Sequence, residues 1–282
     1  KTKELGGYAE IAVALDTQLG RMPRNMGFAE AAALPKVALT SWKALTWYAG
    51  ALNATFKGRR VLVLGGSGGT GSTGIQIARA LGAGEILTTT SAANAAYVEG
   101  LGANRSIDYH AENWWEPSVI PPGSVDVVYD CVGQSGTGDR AMGVLRSGGF
   151  YVTITGQLAA RVKEGVQQHM FINSDTNLDS GALLDALRDL AEKDALRMRR
   201  IAQVYPLDKI PDAFAQSKAG HVVGKLVVNV TAASEETTEK TSAGLVAAAG
   251  GPEYDYDLAV YGSSPAGVAA AVAAGRLGLR VG

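Results

Sequence analysis

The sequence predicts an α/β protein built on a parallel sheet, and three observations carry that expectation. From Arg60 onward, short apolar strands alternate with helical patterns, the rhythm of a sheet covered by helices on both faces. The first of those strands runs directly into a glycine-rich turn, "VLVLGGSGGTGSTG". The chain has 282 residues, of which 46% are hydrophobic, and a formal net charge of -1. That is enough apolar material for a sizeable core and too little charge for a nucleic-acid binder. No apolar run reaches the length of a membrane span, so neither a spanning segment nor a nucleic-acid partner is expected. Cys131 is the single cysteine. It excludes an intrachain disulfide and fits a reducing compartment, cytoplasmic or organellar. The sequence opens on Lys1 with no signal-peptide pattern, and the localisation is left open.

Taken in order, "YAEIAVA" at 8–14 alternates and predicts a strand. "GFAEAAALPKVALTSWKALTWYAG" predicts helices broken at Pro35. Strands are then expected at 60–65, 85–90, 105–109, 125–131 and 149–155, with helices at 70–82, 92–101 and 135–146. "GALLDALRDLAEKDALR" at 181–197 reads as an amphipathic helix. "RRIAQVYPL" and "GKLVVNV" read as further strands, with a short helix between them. Residues 231–256 are small, polar and charged and predict a linker. The last stretch, 257–282, reads as a strand, a glycine turn and a helix.

The turn "GGSGGTG" fits two overlapping templates. Gly66, Gly68 and Gly71 satisfy G-x-G-x-x-G, and Gly65, Gly68 and Gly71 satisfy G-x-x-G-x-x-G. In either, the first glycine permits a sharp turn, the middle one lets backbone approach a pyrophosphate, and the last lets the helix pack close. The anion then sits on the N–H groups of a helix N-terminus. No lysine follows the glycines, which argues against a mononucleotide P-loop. About 20 residues further on, an NAD site places an acid against the ribose hydroxyls. Here that position is Ser91, and no acid occurs until Glu99. NADPH is therefore expected over NADH. Ser91, Asn94 and Tyr109 offer neutral hydrogen bonds only, and Ser91 is equally suited to cap a helix.

Seven stretches in order, "GGYAEIAV", "AAALPKVALTSWKAL", "VLVLGGSGGTGSTGIQIARALGA", "LGANRSIDY", "VDVVYDCVG", "LRSGGFYVTITG" and "AGHVVGKLVVNV", resemble the medium-chain dehydrogenase/reductase superfamily. The branch they resemble is the zinc-free, quinone-oxidoreductase-like (enoyl reductase-like) one, over residues 6–230. The resemblance implies a Rossmann-type doubly wound parallel sheet inserted in a GroES-like β domain, most of whose first segment lies outside this sequence. Residues 1–35 would end that first segment, 36–200 would bind NAD(P), and 201–230 would be the returning segment. The resemblance also assigns cofactor residues. Thr40 corresponds to a threonine near the nicotinamide, and Gly65, Ser67, Gly68, Gly69, Thr70 and Gly71 to the phosphate turn. Ser91, Asn94 and Tyr109 correspond to the adenosine end. Cys131, Val132, Gly133, Thr155 and Gly156 correspond to strand ends lining the groove, and Lys225 to a lysine near the cofactor. Asn94 and Val223 stand where many members carry a basic residue.

The reaction implied is hydride transfer from NADPH to a small-molecule quinone or α,β-unsaturated carbonyl. No catalytic residue is assigned. Tyr48 and Tyr151 are candidates to orient a carbonyl, with aromatic packing the stronger reading of both. No metal is expected, because Cys131 stands alone and His110, His169 and His221 are far apart in sequence. A homodimer is in keeping with the resemblance. Residues 257–282 resemble the start of an FAD-dependent oxidoreductase, with Gly262, Ser264 and Gly267 at the three turn positions. That likeness implies an incomplete second dinucleotide-binding element, FAD in the full-length protein only, and a fusion of nicotinamide reductase and flavoprotein. Two other functions fit the same residues: a nucleotide-binding module without turnover, and an enoyl-reductase unit of a multidomain enzyme.

Overall fold

The structure, a computed structural model, describes residues 7–9, 12, 18–50, 55–171 and 181–230, together with the backbone of 268–271. It forms two compact units. One comprises the described residues of 37–178 and 193–197; the other comprises the described residues of 1–36, 179–192 and 198–282.

The unit of 37–178 is built on six parallel strands: β1 (Arg60–Leu64), β2 (Glu85–Thr90), β3 (Arg105–Asp108), β4 (Val125–Asp130), β5 (Leu145–Thr153) and β6 (Gln167–Met170). Their order across the sheet is β3-β2-β1-β4-β5-β6, the doubly wound order. Of the two helices that precede the sheet, α1 (Phe28–Ala33) belongs to the other unit, and α2 (Pro35–Lys43) continues as a π-helical turn, Ala44–Tyr48. Pro35 is the first residue of α2, the position where its missing N–H costs nothing. The helices crossing between the strands are α3 (Gly69–Ala80), α4 (Ala95–Gly100) and α5 (Thr137–Val144).

β1 shows why the sheet is central. Val61, Leu62, Val63 and Leu64 are all buried, as a strand covered on both faces requires. Leu62 and Leu64 join Leu87, Val128, Leu145 and Tyr151 in one core layer. Val63 faces α3, where Gly74 lies so close that a Cβ there would fall 2.9 Å from the Tyr129 ring.

The expected strands and helices of this unit are present within a few residues. The exceptions are β5, which begins at Leu145, and β6, which has no counterpart in the sequence reading. "QQHM" is polar and half exposed, without the apolar alternation by which a strand is read from sequence.

In the other unit, α1, α6 (Gly181–Glu192) and α7 (Ile210–Ala219) accompany three parallel strands, β7 (Ile201–Pro206), β8 (Lys225–Asn229) and β9 (Val268–Ala271). Tyr205, Ala213, Leu226, Val228 and Val230 form its core. The helix read at 181–197 stops at Glu192, and Asp194 has φ 58°. α6 belongs to this unit because the segment 18–25 packs on it. Asn25 Nδ2 donates to Ala191 O at 2.8 Å, and a Cβ added at Gly20 would run into Leu184.

Two expectations are corrected here. The first is the strand at 8–14. Of that stretch only Tyr8, Ala9 and Ala12 are described; Tyr8 and Ala9 lie in a bend, and Ala12 is in no regular element. The second concerns 257–282. Val268–Ala271, expected in the helix after the second glycine turn, form β9 and pair in parallel with Leu226–Asn229. A short run of valine and alanine suits strand or helix equally, and here it covers the edge of β8 that would otherwise present unpaired backbone. Gly262, Ser264 and Gly267, and the linker read at 231–256, lie outside the described residues.

Candidate functional site

The site is built at the carboxyl edge of the six-stranded sheet, where β1 and β4 lie side by side and their onward connections diverge. In a doubly wound sheet this is the crevice that takes a dinucleotide.

The glycine turn joins β1 to α3, and its glycines differ in what they are for. Gly65 has φ +79°, the left-handed region that favours glycine. A Cβ at Gly66 would overlap Thr88 Oγ1, and one at Gly71 would overlap the Gly65 carbonyl oxygen. Gly68 is the N-cap of α3 with ordinary extended backbone, and a Cβ there would meet Gly65 O at 3.4 Å. Gly65 and Gly71 thus build the turn, while Gly68 leaves its outer surface bare.

Two threonines of β2 hold the turn. Gly65 N donates to Thr89 Oγ1 at 3.0 Å, and Gly66 N donates to Thr89 O at 3.0 Å. Thr88 Oγ1 donates to Val63 O at 2.7 Å. The first turn of α3 has no side-chain cap and no acidic residue. Its opening N–H groups, on Gly69, Thr70 and Gly71, precede the first intrahelical bond, from Ser72 N to Gly68 O. Backbone donors and a positive helix end therefore face the bare surface that Gly68 leaves, a cradle for a pyrophosphate.

α2 braces this cradle from behind. Ser41, fully buried, donates to Thr70 O at 2.9 Å and lies 3.0 Å from Thr73 Oγ1 and 3.2 Å from Tyr129 Oη. Thr73 Oγ1 also reaches Val37 O at 3.1 Å. Thr40, assigned to the nicotinamide end, is buried on the same helix. Burial pushes the Tyr129 phenol well above its usual range, so it stays neutral.

At the end of β2, Asn94 Nδ2 donates to Ser91 Oγ at 3.0 Å, so these two expected adenosine residues are gathered. Tyr109 is exposed after β3, its ring 4.3 Å from that of His110. On the other side of the switch point, Val132 projects to solvent beyond β4, and a Cβ on Gly65 would lie 2.7 Å from its Cγ2. Gly133 has φ +74° and Gly156 φ +99°, so both strand-end loops turn sharply beside the crevice. Burial, then the Asp130 charge, pushes the Cys131 thiol up, so it stays protonated at neutral pH.

Tyr151 is fully buried in the core and donates to Asp130 Oδ2 at 2.9 Å. Tyr48 lies tilted against His169 and Phe171, with ring centroids 5.5 and 5.6 Å away. Both tyrosines pack as aromatic residues, the stronger of their two readings. Ser41, Thr88, Thr89 and Asp130 make hydrogen bonds that hold the candidate site, and the sequence reading misses them. The run of three threonines in a buried strand is a usable signal for two of them, since a buried hydroxyl needs a partner.

Lys225 belongs to the other unit. Burial, and secondarily Lys36, lowers its ammonium from 10.5 to about 8. Between those values the folded chain binds fewer protons than the unfolded one, so this lysine makes stability rise with pH through that window. Below about 8 both states are charged, and the burial penalty, on the order of 3 kcal/mol, is fully present. Replacing Lys225 with Met is expected to raise the melting temperature at neutral pH and to remove that slope. Cys131, Tyr129 and Tyr151 titrate with the opposite sign, so the measurement is the difference between wild-type and variant melts across the window. An equal difference at every pH would contradict the assignment.

Residues 101–228 match the zinc-binding dehydrogenase family. The chain is 32% identical over 232 residues to a tomato (Solanum lycopersicum) 2-methylene-furan-3-one reductase, covering 80% of this chain and 53% of that protein. It is 31% identical to a chloroplastic NADPH-dependent alkenal/one oxidoreductase of Arabidopsis thaliana, again over 80% of this chain and 53% of that protein. The solved quinone oxidoreductase of Coxiella burnetii superposes with a TM-score of 0.59 at 28% identity, covering 77% of this chain and 62% of that one. The chain is similar, over most of its length, to members of the medium-chain dehydrogenase/reductase superfamily. It spans about half the length of these curated relatives. The family description names zinc; among the described residues no three His, Cys, Asp or Glu side chains group as a metal site requires. No helix of the described residues is long and apolar enough to cross a membrane.

Proposed function

We propose that this chain is a medium-chain dehydrogenase/reductase and carries the cofactor half of an NADPH-dependent, zinc-free reductase of quinones or α,β-unsaturated carbonyls. One observation carries the reading: Gly65 and Gly71 force a turn whose uncapped helix start and bare Gly68 surface lie at the switch point of the sheet. Bound there, NADPH supplies the hydride. The chain's own residues do the rest. The first turn of α3 binds the pyrophosphate, and the ends of β2 and β3 take the adenosine. The loops after β4 and β5 seat the nicotinamide end. The printed names of the tomato and Arabidopsis relatives support an enone substrate, and that of the Coxiella structure supports a quinone. A flavin module at 257–282 is not part of this reading, since β9 extends the sheet of β8.

The test is NADPH oxidation by the full-length protein against a panel of quinones and enones. Binding without oxidation would favour a nucleotide-binding module. The choice of NADPH has its own expected result. Ser91 and Asn94 pair with each other and bring no charge. Asn94→Lys should strengthen NADPH binding over NADH by roughly 1.5–3 kcal/mol through a charge-assisted bond to the 2′-phosphate. Competition titrations of the two cofactors read this directly, and equal gains for both would remove Asn94 from the phosphate's surroundings.

A further inference from the structure

Asp130 ends β4 and is fully buried. It pairs across the sheet with Leu64 of β1 and Thr153 of β5, which puts it at the middle of the carboxyl edge. A carboxylate removed from water is costly unless hydrogen bonds hold it. Here the holders are two backbone amides and a phenol. Oδ1 accepts from Val132 N at 2.9 Å and from Gly133 N at 3.0 Å. Oδ2 accepts from Tyr151 Oη at 2.9 Å, and the same hydroxyl lies 3.1 Å from Gln157 O.

These bonds shape two loops at once. Gathering consecutive N–H groups on one oxygen turns the chain at Gly133, φ +74°, and sets Val132 against Gly65 of the phosphate turn. A Cβ on Gly133 would overlap Thr155, so the loop after β5 packs directly on the loop after β4. The single Tyr151 hydroxyl proton is shared between Asp130 Oδ2 and Gln157 O, which brings that second loop beside the same carboxylate.

We propose that Asp130 is the positioning residue of the nicotinamide end: one carboxylate fixes the loops 131–133 and 155–157 as the seat for the ring. The proposal rests on the NADPH reading above and deepens it. Asp130 itself touches backbone and Tyr151, and acts on the cofactor through the loops it holds.

Two probes separate this role from general support of the fold: NADPH, and 2′-phospho-ADP-ribose, which lacks the ring. Binding of both is measured by calorimetry in the full chain. Asp130→Asn keeps an oxygen for the amides and changes the bond to Tyr151. It is expected to weaken NADPH about ten-fold while leaving 2′-phospho-ADP-ribose unchanged. Tyr151→Phe, which keeps the ring in the core, should show the same pattern at about three-fold and carries the test if the asparagine variant does not fold. Equal weakening of both probes, or of neither, overturns the positioning role. A wild-type chain that binds neither probe overturns the cofactor reading itself, and the proposal with it.

Discussion

Gly68→Val is expected to abolish nucleotide binding while the chain stays folded. The backbone at Gly68 has φ -74° and ψ 166°, extended geometry that valine adopts readily. A Cβ there meets only Gly65 O, at 3.4 Å, so the fold has room for the first carbon of the side chain. The cradle does not. Gly68 caps α3 and leaves bare the surface onto which the N–H groups of Gly69, Thr70 and Gly71 open, and a branched side chain would occupy the path of the pyrophosphate. Losing that approach should weaken NADPH by about 100-fold or more, close to 3 kcal/mol. Calorimetric titration measures the loss, and a melting temperature within a few degrees of wild type shows that the fold is kept. Unchanged affinity would mean that the pyrophosphate is bound elsewhere.

How much of this is legible in the sequence depends on whether a residue's reason lies nearby along the chain. β1 and α3 are legible because "VLVLGG" carries both the apolar strand and the glycines that end it. Ser91, Cys131, Val132, Gly133, Thr155 and Gly156 follow the strands in sequence, and the structure puts them at strand ends along the crevice edge. Asp130 is not legible. It reads as a polar end to an apolar strand, and its meaning depends on Tyr151, 21 residues later. Ser41 is similar, since its partners Thr70, Thr73 and Tyr129 sit on two other elements. β9 fails for a different reason. Valine and alanine alone do not separate strand from helix, and the neighbour that decides, β8, lies far upstream.

The glycines flanking Gly68 should respond in the opposite sense, losing stability before they lose affinity, and only one of them should be rescuable. At Gly71 the obstacle to a Cβ is backbone: the carbonyl oxygen of Gly65, with its carbon at 2.7 Å. Gly65, at φ +79°, is held by the hydrogen bond its N–H donates to Thr89 Oγ1, so it has no easy way to retreat. Gly71→Ala is expected to cost about 3 kcal/mol, as overpacking against a rigid neighbour does. At Gly66 the obstacle is a side chain, Thr88 Oγ1, with Ile75 Cδ1 at 2.8 Å. Gly66→Ala should therefore cost a comparable amount alone, and Thr88→Ala in the same chain should recover part of it. The recovery is incomplete because Thr88 Oγ1 also donates to the buried Val63 carbonyl at 2.7 Å, and losing that bond costs about 1 kcal/mol. The double-mutant cycle for Gly66 and Thr88 should show a coupling of about 1 kcal/mol or more, and the cycle for Gly71 and Thr88 none. Denaturant unfolding of the variants measures both. Additive behaviour at Gly66 and Thr88 would show that the turn relaxes around the added carbon, and that its close packing on β2 is not what makes glycine necessary there.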